Sequence, residues 1–210
     1  VDTIFGCPVG AALPLYDALL GEPRLRHVLV RHEQAAVHAA DGYARSTGRV
    51  GVVLVTSWPG VGNTITGLLD AMSDSVPVLC ISGQVATAVI GTQAFQESDA
   101  LGMSRSVTKW NRQVRSADDV PSLVRRALEI ATTGRPGPVL LDVPKDIQLN
   151  RLSHAPEPAP LRALRTSRAA MPPKAMMQRA ADLLSTARRP VIYGGGGLIN
   201  SGPEACEAFT

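Results

Sequence analysis

Four short segments concentrate the side chains and turns capable of chemistry: Gly6-Cys7-Pro8-Val9-Gly10-Ala11, Arg31-His32-Glu33-Gln34, Thr56-Ser57-Trp58-Pro59-Gly60, and Gly83-Gln84 with the stretch behind it. Each follows an apolar run, and in open α/β sheets ligands bind at the carboxyl ends of strands. Glu33 stands where such a run gives way to a helical pattern. A carboxylate there either satisfies the first helix amides or faces a ligand, and position alone favours the cap. His32 beside it reads first as a hydrogen-bonded structural residue, and the spacing yields no Ser/His/Asp arrangement. Pro59, Gly60, Gly62 and Asn63 form a tight turn into a helix, which is either a bare connection or a set of backbone amides open to an anion or cofactor. Gly194–Gly197 also lie between an apolar run and a helix. Neither Ile199 nor Asn200 supplies the last glycine of G-x-G-x-x-G, so the dinucleotide fingerprint is not met.

These segments need a scaffold that gathers strand ends. Apolar runs at Thr3–Phe5, Val28–Val30, Val52–Val55, Val78–Ile81 and Val139–Val143 are short and bounded by glycine, proline or charge, as buried parallel strands are. Between them, Glu33–Thr47 carries Ala36, Val37, Ala40, Tyr43 and Ala44 at helical spacing, and Val120–Thr133 carries Val124, Leu128 and Ala131. Gly62–Asp74 reads as a further helix. The alternation predicts an α/β domain with a doubly wound parallel sheet and helices on both faces. Residues 85–113 show no clear period; long irregular stretches in compact domains are often functional, which singles out Gly91–Asp99. A shift to alanine, proline, arginine and leucine, including Ala155-Pro156-Glu157-Pro158-Ala159-Pro160, predicts an extended linker over 149–173. It separates a domain over 1–148 from the start of a second, Rossmann-like α/β domain over 174–210. That second domain is expected to hold a helix at Lys174–Arg188, a strand at Pro190–Tyr193 and a helix from near Pro203. The chain opens within a strand pattern and stops within a helical one, so both ends are expected to be cut.

Composition removes several classes of function. With 210 residues and 45% hydrophobic composition the chain can bury a full core. Its net charge of +3 is spread among apolar segments, and three Phe, three Tyr and two Trp offer few stacking platforms, which argues against nucleic acid as a partner. No apolar run reaches the roughly 20 residues that a membrane span needs, and no basic-then-apolar leader is present. Cys7, Cys80 and Cys206 are odd in number and widely separated, so neither a disulfide framework nor a zinc site is suggested, and a cytoplasmic location is expected.

Taken together, the segments resemble the large catalytic subunit of acetolactate synthase, a thiamine-diphosphate enzyme, along nearly the whole chain. The resemblance rests on Val28–Arg45, which looks like that family's strand and helix around the cofactor glutamate, and on Gly91-Thr92-Gln93-Ala94-Phe95-Gln96-Glu97, which looks like its active-site loop. Gly134-Arg135-Pro136-Gly137-Pro138 through Asp142-Val143-Pro144-Lys145-Asp146 resembles the end of its pyrimidine-binding domain. The resemblance implies that Glu33 hydrogen-bonds N1′ of the aminopyrimidine and promotes the tautomer that removes the thiazolium C2 proton. It further implies decarboxylation of a 2-oxo acid such as pyruvate and condensation with a second 2-oxo acid, as in branched-chain amino acid biosynthesis. Gly10 would lie near the reacting centre, Gln96 would serve catalysis and the cofactor, and Phe95 and Lys145 would line the substrate channel. Pro8, Ser57, Pro59, Gly60 and Asn63 would approach the cofactor, while Arg135, Gly195 and Gly196 would contact FAD, a ligand that related enzymes replace or lack. The family arrangement also implies a homodimer or tetramer through this domain and leaves a regulatory subunit open.

Two positions depart from the family wording. Cys7-Pro8-Val9-Gly10 stands where Tyr-Pro-Gly-Gly is usual, and Thr56-Ser57-Trp58-Pro59-Gly60 where Thr-Ser-Gly-Pro-Gly is usual. Trp58 either narrows the pocket, displaces the flavin or alters the accepted oxo acid, or else it lies harmlessly exposed. The Gly-Asp-Gly…Asn segment that holds Mg2+ and the diphosphate is absent, and Asp41-Gly42 belongs to a helix. Both are expected outside this stretch, which by itself should be inactive. Two alternatives stay open: another thiamine-dependent lyase or carboligase resembling glyoxylate carboligase, whose pattern lacks the glutamate, and a non-catalytic flavin- or nucleotide-binding relative.

Overall fold

A computed structural model describes residues 1–154 and 171–209, which divide into two units. In the first, six strands run in the spatial order β2-β1-β3-β4-β6-β5, every neighbouring pair parallel. They are β1 Thr3–Gly6, β2 Arg26–Leu29, β3 Gly51–Val55, β4 Val78–Gln84, β5 Trp110–Gln113 and β6 Val139–Pro144. The connecting helices are α1 Leu13–Leu20, α2 Glu33–Thr47, α3 Gly60–Asn63, α4 Ile65–Ser73, α5 Ala100–Ser104, α6 Val120–Thr132 and α7 Lys145–Leu149. The expected α/β class and parallel sheet are therefore found.

Strand periodicity divides the core in two. Side chains alternate across a sheet. Phe5, Val53, Val55, Val78, Cys80 and Leu140 accordingly pack with Ala36, Val37, Ala40, Val61, Leu68 and Ala71 of α2 to α4. Their neighbours Ile4, Val52, Leu54, Leu79, Val139 and Leu141 pack with Tyr16 of α1 and Ala127, Leu128 and Ala131 of α6. Both faces are thus covered, and β3 is buried along its whole length, which is why it reads as a continuous apolar run.

Three local expectations need correction. The helix expected over Gly62–Asp74 begins at Gly60 and is interrupted at Thr64, giving α3 and α4. Buried Thr64 donates its hydroxyl to the Val61 carbonyl at 2.6 Å, a local bond that competes with the helical ladder. Residues 85–113 were expected to be irregular, yet α5 and β5 lie there. Strand β5 is an edge strand of polar and aromatic residues, half-buried along most of its length, so it carries no apolar alternation to read. In the second unit, α8 Lys174–Thr186, α9 Gly196–Asn200 and α10 Pro203–Phe209 form, but Pro190–Tyr193 is not a strand. No other strand exists among the described residues of that unit to pair with it, and Val191 and Tyr193 stand almost wholly in solvent. The proline-rich stretch 155–160, expected to be a linker, lies outside the described residues; α7 reaches Leu149, one residue beyond the expected domain edge.

Adjacent leucines of α4 test the packing. Leu68 is fully buried and Leu69 is half exposed. Leu68→Ala is expected to cost about 2–5 kcal/mol through cavity formation, and Leu69→Ala within about 0.5 kcal/mol of nothing. Urea unfolding of the two variants would reveal the reverse order of losses if the helix were turned the other way.

Candidate active site

The loops following β1, β2, β3 and β4 meet at the carboxyl edge of the sheet. At the head of α2 the capping residue is His32, whose Nδ1 accepts the Gln34 amide at 3.2 Å. Glu33 is thereby released from the capping duty that its position first suggests. Its Oε2 instead accepts a hydrogen bond from Asn63 Nδ2 of α3 at 2.9 Å. Among the described residues Oε1 has no hydrogen-bond partner. A Cβ at Gly60 would lie 3.4 Å from that oxygen and 2.8 Å from Thr56 Cγ2, so the missing side chain keeps this corner open.

A second corner forms where the β1 and β3 loops meet the segment after β4. Thr56 Oγ1 accepts the Ala11 amide at 2.9 Å and ties the Gly10 turn to the end of β3. Gly10 has φ of +58°, and a Cβ there would sit 2.6 Å from Thr56 Oγ1 and 3.7 Å from Gln96 Oε1. A side chain at position 10 would be both strained and obstructed. The Gln96 carbonyl accepts the Trp58 amide at 3.1 Å, which draws the two loops together. Trp58 itself is about half exposed (48%). Its six-membered ring lies over α3, where a Cβ at Gly62 would meet Cζ3 at 2.5 Å. The indole finds its room because position 62 has no side chain.

Behind these loops, buried Asp142 of β6 joins three strands. Its Oδ1 accepts from Ser82 Oγ at 2.8 Å, and its Oδ2 accepts from Gln84 Nε2 at 3.2 Å and Gln113 Nε2 at 3.0 Å. Burial raises its pKa against the lowering effect of those three donors, Gln113 foremost. Gln84 also donates to the Ser98 carbonyl at 2.9 Å, so the cluster anchors the far end of the segment that carries Gln96. Sequence reasoning assigned Asp142 no role, although a single carboxylate inside the apolar run Val139–Val143 is a signal that a buried partner set must exist.

The remaining residues of interest are scattered. Pro8 is exposed beside the Gly10 turn, Ser57 is buried, and Pro59 is exposed at the start of α3, where its carbonyl accepts the Asn63 amide. Phe95 stands 89% exposed, and Lys145 is exposed where β6 passes into α7. Arg135 lies at the opposite, amino edge of the sheet; its Nε donates to Ser75 Oγ at 2.7 Å and its Nη2 to the Met72 and Ser73 carbonyls at the end of α4. Gly195 and Gly196 belong to the second unit, at the start of α9.

A parallel sheet whose carboxyl edge gathers a freed glutamate, an asparagine and glycine-cleared corners defines a cofactor-binding α/β domain. Residues 1–103 match the family described as thiamine pyrophosphate enzyme, N-terminal TPP binding domain. It is 48% identical over 207 residues to the acetolactate synthase catalytic subunit, mitochondrial, of Saccharomyces cerevisiae, covering 95% of this chain and 30% of that one. It is 50% identical over 208 residues to the acetolactate synthase of Mycobacterium bovis, covering 99% of this chain and 33% of the relative. Identity to the acetolactate synthase isozyme 3 large subunit of Escherichia coli is 49% over 205 residues, covering 96% and 35%. The chain therefore spans about a third of the length of these relatives. Among solved structures, a thiamine diphosphate-dependent 4-hydroxybenzoylformate decarboxylase from Rhodococcus jostii RHA1 superposes with a TM-score of 0.79 at 29% identity, over 90% of this chain and 36% of that one.

The Asp142 cluster yields a paired expectation. Asp142→Ala strands three buried donors and should cost on the order of 1–3 kcal/mol. Asp142→Asn can turn its oxygen to the two glutamines and donate to Ser82, so it should fold. A raised native pKa means that the native state holds the proton longer than the unfolded chain. Wild-type stability should therefore fall, relative to Asp142→Asn, as pH rises from the ordinary carboxylate range through the raised value. Urea titrations of both proteins across that range would show parallel curves if Asp142 were not perturbed.

Proposed function

We propose that the intact protein is an acetolactate synthase that binds thiamine diphosphate, decarboxylates pyruvate and joins the remaining two-carbon unit to a second 2-oxo acid. The observation that carries this reading is Glu33, held by Asn63 through one oxygen while the other faces the corner cleared by Gly60. The donor set fits an aminopyrimidine: a carboxylate oxygen free to accept or hold a proton beside the ring nitrogen N1′, with Pro8, Ser57, Pro59, Gly60 and Asn63 framing the approach. When bound, thiamine diphosphate would supply a nucleophilic carbon and the electron sink that takes up the electron pair left as carbon dioxide departs from a 2-oxo acid.

The chain's own residues have separable tasks in this reading. Glu33 Oε1 holds the proton exchanged with the aminopyrimidine, and Asn63 fixes the carboxylate so that this oxygen does not rotate away. Gly10 admits the cofactor and substrate to the floor formed by Thr56. Gln96, with its side-chain oxygen near Gly10, orients the substrate, and Phe95 and Lys145 border the channel. Mg2+ and the diphosphate are assigned to protein outside the residues described here. FAD remains part of the proposal through Gly195 and Gly196; Arg135 fits less well, since two of its nitrogens already hold the end of α4. Assembly as a homodimer or tetramer, with a regulatory subunit as a further partner, belongs to the same reading through the likeness to thiamine enzymes. The cytoplasm is taken as the compartment from the cysteine pattern, although the yeast relative is named mitochondrial.

Glu33→Gln in the intact protein is expected to preserve folding and to lower turnover of pyruvate by about 10²–10⁴-fold. Release of carbon dioxide and formation of acetolactate, each with and without thiamine diphosphate and Mg2+, provide the assay. Turnover unaffected by the substitution removes Glu33 from the chemistry. Carbon dioxide without acetolactate would indicate a decarboxylase, and cofactor-independent inactivity toward every oxo acid would favour a binding relative.

A further inference from the structure

The segment between β4 and α5 has an internal clasp. The Glu97 carboxylate turns back along its own chain, Oε1 accepting the Gly91 amide and Oε2 accepting the Ala94 amide at 3.1 Å. The Glu97 amide in turn donates to the Ala94 carbonyl at 2.9 Å. Hydrogen bonds from the Gly91 backbone foremost, and from Ala94, Gln93 and Thr92, hold this carboxyl below its ordinary pKa. Between the clasped ends the backbone takes conformations that L residues rarely adopt: Gln93 has φ of 60° and Gln96 has φ of 63°. Such conformations persist where surrounding contacts over-determine them. The base of the segment is held separately, by Gln84 to the Ser98 carbonyl and by the Trp58 amide to the Gln96 carbonyl.

We propose that Glu97 is a positioning residue that preforms this segment, so that Phe95 projects outward while Gln96 faces the Gly10 corner. The inference rests on the 2-oxo acid reading given above. Acceptor chemistry explains why glutamate serves here. A carboxylate offers only lone pairs to the converging amides, whereas the NH2 of a glutamine would confront one of them with a second donor. Glu97 contributes nothing to the two apolar clusters of the sheet, so its loss leaves the scaffold standing.

The test uses Glu97→Gln and Glu97→Asp in the intact protein, with pyruvate as substrate. Glu97→Gln is expected to accelerate hydrogen exchange across residues 91–97 about tenfold or more. It should raise the KM for pyruvate by a similar factor while leaving the thermal midpoint unchanged. Glu97→Asp, which keeps the acceptors on a shorter arm, should recover part of both effects. Unchanged exchange overturns the clasp whatever the kinetics. Faster exchange with an unaltered KM overturns the positioning role. A wild-type protein that turns over no 2-oxo acid sinks the functional reading instead, and the exchange measurement then judges the clasp alone.

Discussion

The site depends on burial of the central strands from both sides. Strands β3, β4 and β6 pair in parallel and are covered by helices on each face, so their direction and register leave little freedom at either end. A one-residue slip would exchange Val53 and Val55 with Val52 and Leu54 and bring both faces into mismatch. The carboxyl ends of these strands are consequently fixed points, and the polar residues that follow them inherit that rigidity. Glu33 heads α2, which follows β2, and Asn63 ends α3, which follows β3; they are thirty positions apart in sequence, yet their 2.9 Å contact needs no long flexible reach.

Polar groups inside the sheet extend the same order toward the loops. Asp142 would be costly in an apolar strand without partners. Ser82, Gln84 and Gln113 supply them from neighbouring strands, and Gln84 passes the constraint to Ser98. Burial still disfavours the ionised form despite these donors. A sheet that accepts such a cluster gains a defined starting point for the segment beyond β4, where backbone strain at Gln93 and Gln96 is concentrated.

Much of this was legible in the residues. The five apolar runs and the helix from Glu33 to Thr47 are plain in the sequence, and the structure forms them within three residues of the expected limits, β4 running furthest beyond its run, to Gln84. Strand β5 was hidden because an edge strand reading Trp-Asn-Arg-Gln buries too little to impose a pattern. Pro190–Tyr193 failed in the opposite sense: a β-branched run can only become a strand when another strand accepts its hydrogen bonds. At the site, spacing singled out the turns that hold Gly10, Glu33 and Asn63, whereas the roles expected of Glu33, Gly10 and Gln96 came from the resemblance, and none of their partners could be read. Nothing local indicates that His32 takes over the cap, that Thr56 holds the Gly10 turn, or that Asp142 anchors the distant loop, since each of these depends on contacts between remote segments.

Trp58 shows how a bulky residue enters a turn that otherwise excludes side chains. The sequence left open a narrowed pocket, a displaced flavin, an altered oxo acid or simple exposure, and the geometry shows exposure with a specific seat. The indole is half solvent-exposed and rests where a side chain at Gly62 would be. Meanwhile its amide binds Gln96 rather than being displaced by the ring. The ring is therefore seated against Gly62 of α3. Tolerance at position 58 is set by position 62: the tryptophan and the glycine form a matched pair, and adding a side chain to the second would push the first toward either solvent or the loop that carries Gln96.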